Sequence, residues 1–369
     1  MQKYGGVSNS FVKLIENLPK DVDYDIALRE CDNTHLINSN VKSSFDSIKL
    51  NPVNFLINKP FRGKGVLYSL YEYLFPMKTS YGRNKAISVE ALISGNYDIF
   101  HPTFFDPYFL PYIGNKPYVL TVHDMIPELY YSPRNKQIFN KRKLALGASH
   151  LIAVSEKTKS DMIDIWGLQE SKITVIYHGA PEKKQSSDEP IVDGKYILYV
   201  GQRHTYKSFI PMLKNLVPVL RRHKEIILIC TGPDFSKEEI SLFNKYGIID
   251  RIAHICPDDR DLNNLYTNAL CFIYPSQYEG FGIPILEAYS ASCPVLLNNR
   301  SCFPEIARDA AVYFNLDNNQ SDLESVLENF LIISDSDMKS LLERQKSRLN
   351  DFSWKRSAQK LSEVYNSLL

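Results

Sequence analysis

The sequence predicts an α/β protein made of two doubly wound domains that face each other across a cleft. Three observations carry that expectation. Short β-rich runs alternate with amphipathic helical segments along the chain. The alternation breaks at a polar stretch, 181–193 (P-E-K-K-Q-S-S-D-E-P-I-V-D), and then restarts. A length of 369 residues leaves room for two cores of ordinary size.

In the first half, strands are expected at 24–28, 97–100, 118–122, 151–154 and 173–177. Helical patterns at 8–18, 64–74, 85–93, 135–146 and 156–165 fall between them. In the second half, strands are expected at 196–200, 226–230, 270–274 and 295–297. The helices there are expected at 210–221, 237–245, 259–268 and 283–290, with three more closing the chain, the last at 354–368. The boundaries that follow are a first domain over 1–180, a linker over 181–193 and a second domain over 194–350. A closing helix in 351–369 is expected to cross back to the first domain. Ligands of such folds bind beyond the carboxyl ends of the strands, so two facing domains imply an interdomain site.

Composition narrows the function. Hydrophobic residues make up 44% and charged residues 23%, which excludes a disordered chain or a disulfide scaffold. A net charge of +1 argues against a protein that coats nucleic acid. Residues 1–180 carry 21 basic and 17 acidic side chains, against 22 and 25 in 181–369. That tilt is small; a first domain lying against an anionic membrane surface is the lesser of the two readings it allows, the other being an ordinary solvated surface. No apolar run is long enough to span a bilayer, and the six cysteines show neither C-x-x-C nor zinc-ligand spacing. A cytoplasmic protein with reduced thiols, peripheral on a membrane at most, is expected.

The sharpest chemical signal is Y-P-S-Q-Y-E-G-F-G-I-P-I-L-E-A-Y at 274–289. A buried strand runs into a glycine loop and then a helix. Gly280 and Gly282 let the backbone approach a ligand, and the helix start offers free N–H groups for a phosphate or sugar hydroxyl, through Phe281 and Gly282. Glu279 and Glu287 are placed to accept hydroxyls of a sugar and a ribose. The plain alternative is a turn glycine with two surface carboxylates.

The stretch 279–287 resembles the E-x7-E motif of the large retaining glycosyltransferase family known as family 4, or group 1. Its members have the GT-B fold, two Rossmann-like domains around a donor cleft. Further matching blocks lie at 2–8, 121–128, 153–159, 199–207, 265–269 and 304–311. The sequence is similar to bacterial mannosyltransferases of surface polysaccharide synthesis. The resemblance implies that Glu279 contacts the donor sugar, Glu287 the nucleotide ribose, and Arg203 and Lys207 the donor diphosphate. His123 would face the sugar near the reacting centre, and Gly6, in the first glycine loop, would approach donor phosphate or acceptor. It also implies no cofactor and no metal. The partners are a nucleotide-sugar donor, GDP-mannose favoured over a UDP-hexose, and a saccharide or lipid-linked acceptor.

Relatives place a whole strand before that first glycine loop, whereas little precedes Gly5 here. The resemblance therefore predicts a first sheet without its opening strand. It also keeps open a truncated, non-catalytic nucleotide-sugar-binding protein.

The remaining signals are weaker. Asp258–Asp261 contains a D-x-D, read as a helix cap rather than a metal site. Lys136, Lys141, Arg142 and Lys143 form either a solvated helix face or a contact for anionic lipid. His101 fits core packing or acceptor shaping equally, and His178 and His204 carry less. Phe104, Phe105, Tyr108 and Phe109 read as core or as an acceptor pocket. A nicotinamide dehydrogenase is disfavoured because no strand leads into G-x-G-x-x-G.

Overall fold

A computed structural model describes residues 5–41, 45–182, 189–317 and 321–369. The first sheet is parallel, with β1 (Val119–Val122), β2 (His150–Ala153) and β3 (Ile173–Val175) in that order. A single bridge from Phe100 to Tyr118 lengthens its edge.

Both faces of this sheet are covered, which is why its strands read as continuous apolar runs. Leu120, Val122, Leu151 and Ala153 pack under the helices Lys136–Gly147 and Glu156–Trp166. Val119 and Ile152 face the other way, onto Leu14 of the helix Gly6–Glu16 and onto Ala358, Leu361 and Val364. Those last three belong to the C-terminal helix Trp354–Asn366, which thus lies on the first sheet.

The second sheet holds β4 (Lys195–Tyr199), β5 (Ile226–Cys230), β6 (Ile252–His254), β7 (Cys271–Tyr274), β8 (Val295–Asn298) and β9 (Val312–Phe314). Its order is β6-β5-β4-β7-β8-β9, all parallel. Counting from β4, that is the 3-2-1-4-5-6 order of a Rossmann sheet, whose direction of winding reverses between β4 and β7. Alternate residues feed two cores: Ile197, Tyr199, Leu228 and Ile273 on one side, Tyr196, Leu198, Phe272 and Tyr274 on the other.

Two expectations need correcting. Residues 24–28 are not a strand: the Leu28 amide bonds back to Ile26 O, and only Glu30 makes a bridge, to Asp46. Asp21, Asp23, Tyr24 and Asp25 are all exposed, so the run has no buried side to set a register and, among the described residues, no partner strand to pair with. The run 97–100 contributes only the bridge at Phe100. Two three-residue edge strands, β6 and β9, had no expectation because three residues show no periodicity.

Residues 1–4, where an opening strand would be sought, and residues 183–188 of the linker lie outside the described residues. All six cysteines are free, and five of them are buried. Among the described residues no helix is long and apolar enough to cross a membrane.

Candidate active site

The loops that leave β4 and β7 meet at the winding reversal. Lys207 ends a short 3-10 turn, Thr205–Lys207, after β4. Its Nζ lies 2.7 Å from Glu279 Oε1, in the loop after β7. The Ser301 hydroxyl donates to Glu279 O at 2.8 Å and accepts the Glu279 amide at 3.1 Å, which fixes the backbone that carries the carboxylate.

Arg203 sits differently. Its Nε donates to Glu239 Oε1 at 2.8 Å, and its other nitrogens donate to the carbonyls of Thr231, Pro233 and Asp234. The guanidinium also stacks on Phe235, 4.8 Å from the ring centre. Lys207 therefore stands beside Glu279, while Arg203 braces the 231–235 loop behind it.

Gly280 sits at a close contact between the two domains. A Cβ there would fall 1.7 Å from His123 O, at the end of β1. Gly280 O in turn accepts from Ser155 Oγ (2.6 Å) and Thr158 Oγ1 (3.2 Å) at the start of the helix Glu156–Trp166. The same helix start receives a second bond set from the opposite domain: Glu305 accepts the amides of Glu156 (2.7 Å) and Lys157 (3.1 Å). A carboxylate at a helix N-terminus is favoured by both hydrogen bonding and the helix dipole.

His123 forms one wall of the contact. It lies parallel to His178 (centroids 5.8 Å apart, 11° between planes) and edge-on to Phe11. Burial lowers its imidazole to about 4, against an opposing pull from Asp124, so it is neutral at physiological pH. Its Nε2 is buried and makes no hydrogen bond among the described residues. The recess it lines with Ser10, Phe11, Thr121 and His178 holds about 10 Å³, room for one water-sized group.

Phe281 is buried with its ring 4.8 Å from His178, edge to face. Gly282, with φ +89°, caps the helix Ile283–Ser290, and a side chain there would press on Ile285 and Phe303. Gly6 opens the helix Gly6–Glu16, and a Cβ on it would lie 3.4 Å from Ile283 Cδ1. Two helix N-termini, one from each domain, thus converge beside Glu279. The arrangement brings a cation and a carboxylate together near two helix starts, components suited to holding a sugar diphosphate.

Comparison with known proteins gives this arrangement a family. A model described as Glycosyltransferase Family 4 matches residues 4–184, and one described as Glycosyl transferases group 1 matches residues 181–346. The chain belongs to the group 1 glycosyltransferases. This group 1 chain is 25% identical over 231 residues to an O-antigen chain mannosyltransferase of Salmonella typhimurium, covering 62% of this chain and 64% of that protein. It is 28% identical over 223 residues to a GDP-mannose:cellobiosyl-diphosphopolyprenol alpha-mannosyltransferase of Xanthomonas campestris, covering 58% of each. The alignments thus span less than two thirds of either relative. In fold, the chain resembles the Anabaena protein HepE, crystallised with UDP and glucose. The TM-score is 0.69 at 16% identity, covering 98% of this chain and 96% of that one.

Other sequence-predicted residues of this group 1 chain fall as follows. Glu287 is partly buried in the second turn of its helix and accepts from Tyr266 Oη at 3.2 Å. Asp258 accepts the amides of Arg260 and Asp261, a helix cap. Lys141 is a correction to the basic face. It is buried, with Nζ donating to Glu128 Oε2 at 2.9 Å and to Asp124 O, while Lys136, Arg142 and Lys143 are exposed. His101 packs in the core, with its ring nitrogens 2.7 Å from Tyr365 Oη and 2.9 Å from Thr121 Oγ1. Phe109 is fully buried and Phe104 exposed, so those aromatics line no single pocket. His204 is exposed. The clamps Ser155, Thr158, Glu305 and Ser301 had no assigned role in the sequence reading. The first three sit in the matching blocks 153–159 and 304–311, and that coincidence was the available signal.

Proposed function

We propose that this chain transfers a hexosyl group from a nucleotide-diphosphate sugar to a hydroxyl of a saccharide or lipid-linked acceptor, with retention of anomeric configuration. The setting is assembly of a bacterial surface polysaccharide such as O-antigen, capsule or lipopolysaccharide, on the cytoplasmic side. GDP-mannose is the favoured donor, supported by the donor named for the Xanthomonas relative, and a UDP-hexose is the alternative. The observation that carries the reading is the Lys207–Glu279 pair at the winding reversal, 2.7 Å apart. It holds a cation for a diphosphate and an acceptor for sugar hydroxyls within one donor's length.

In the proposed reaction the acceptor hydroxyl oxygen bonds to the anomeric carbon on the face from which the diphosphate departs. The bond from that carbon to the phosphate oxygen breaks, and the acceptor proton passes to the departing phosphate. Lys207 neutralises charge that grows on the leaving group, an interaction stronger in the transition state than in the ground state. The amides near Gly6, Phe281 and Gly282 assist it, and Arg203 holds the adjoining loop and adds positive field. Glu279 orients the donor sugar, Glu287 the ribose, and neutral His123 meets the sugar's primary hydroxyl. Fixed cations and helix termini supply the charge, so no divalent metal is assigned a step.

The test is to incubate the purified chain with a panel of nucleotide sugars, with and without a lipid-linked acceptor extract, and to follow free nucleoside diphosphate. Acceptor-dependent release from one donor, lost in Glu279→Ala, is expected. Near-normal release by that variant rejects the role of Glu279.

A further inference from the structure

We propose that the segment 53–77 of the first domain is a docking surface for an anionic lipid bilayer. Of 27 large hydrophobic side chains exposed among the described residues, ten fall in these 25 positions. Patches of that density on a soluble chain mark interaction sites.

The helix Lys64–Leu74 explains how the patch arises. Its inner side places Tyr68 and Tyr71 on Phe55, with ring centres 5.4 and 5.2 Å apart. Its outer side carries Val66, Leu70, Tyr73 and Leu74, at the i, i+4, i+7, i+8 spacing of one helix face, and these are 76%, 55%, 83% and 57% exposed. A helix apolar on both sides is expected to be covered on both. The preceding loop adds Val53 and Leu56, 72% and 67% exposed. Lys64 ties that loop to the helix, since its Nζ donates to Val53 O and Ile57 O at 2.6 Å each. The loop is therefore held against the start of the helix.

Charge selects the occupant. Lys59, Arg62 and Lys78 are exposed around the apolar face, and Glu72 is the sole acidic residue between positions 51 and 78. Apolar side chains rimmed by cations match an anionic bilayer, where the chains enter the headgroup boundary and the cations meet phosphates. A second copy of this chain would instead bring its own cations against these. The surface is separate from the transfer chemistry, and its test uses no sugar substrate, so it stands or falls independently of the proposed reaction.

The experiment is co-sedimentation of the full chain with vesicles of phosphatidylglycerol and phosphatidylethanolamine, and with phosphatidylcholine alone. Binding to the anionic vesicles only, weakened at high salt, is expected. Leu70→Glu with Leu74→Glu should abolish it. Lys59→Ala with Arg62→Ala should weaken it by roughly five-fold per cation. All four substituted positions are exposed, and circular dichroism of each variant checks that it folds. Equal binding by the Leu70→Glu, Leu74→Glu variant, or no binding of the parent to anionic vesicles, overturns the proposal. So does a dimer in solution that this variant splits.

Discussion

The backbone carbonyl of His123 occupies the space that any side chain at position 280 would need: a Cβ on Gly280 would lie 1.7 Å from it. The domain closure therefore depends on a missing methyl group. Gly280→Ala should force the 279–282 loop away from β1 and misplace Glu279. Displacements near 1 Å cost about 100-fold in rate, so turnover should fall by that order with donor binding less affected. Steady-state kinetics beside donor titration checks this, and unchanged turnover would show that the closed contact is not used.

Lys207 and Arg203 should separate cleanly on mutation. Lys207→Ala is expected to reduce turnover by about 100- to 1,000-fold, the usual cost of one charge-stabilising group, with little change in melting temperature.

Arg203→Ala should instead destabilise the second domain. It leaves Glu239 without its 2.8 Å partner and three carbonyls without a donor. Removing one partner of a buried pair costs about 3–5 kcal/mol. Denaturant unfolding distinguishes the two: a stable but inactive Arg203→Ala would place Arg203 on the substrate.

Acid should unfold the first domain. Burial lowers His101 and His178 to about 3 and His123 to about 4, with the charge of His123 adding to the first two. In the unfolded chain each titrates near 6.5, so below that pH the unfolded state binds more protons. Stability is complete above about pH 6.5 and is lost as pH falls towards 4, with each histidine contributing up to about 1.4 kcal/mol per pH unit. Melting temperature measured from pH 7 to pH 4 should drop steeply, and His178→Asn should make the drop shallower. A flat profile in the parent would contradict the buried, neutral state of all three.

Chelation should leave transfer intact, because positive charge at the Lys207 site is covalently fixed in the chain. Activity in EDTA equal to activity in magnesium or manganese is expected. Loss in EDTA with recovery on adding one metal would overturn the metal-free scheme.

The sequence by itself determined the strand–helix alternation, the strand–loop–helix around Glu279 and the cap at Asp258. Each is a local property: strand burial imposes a period of two, helix burial a period near 3.6, and loop glycines mark where side chains are excluded. The helix 259–268 and the helix 283–290 coincide with the observed ones for that reason. The 24–28 run shows the limit, because its alternation describes a strand only if a partner strand is present.

Tertiary structure alone decided which residues meet. Lys207 and Glu279 are 72 positions apart, and Lys207 faces Glu279 while Arg203 turns to Glu239, although both cations follow the same strand. Nothing local distinguishes them. The choice follows from how that one loop packs: its 3-10 turn Thr205–Lys207 meets the loop after β7 that carries Glu279, while Arg203, earlier in the loop, turns to the helix Lys237–Tyr246 that carries Glu239. The burial of Lys141, and the exposure of an apolar helix face at 66–74, were settled in the same way. Periodicity shows that a face is apolar, but only packing shows what, if anything, covers it.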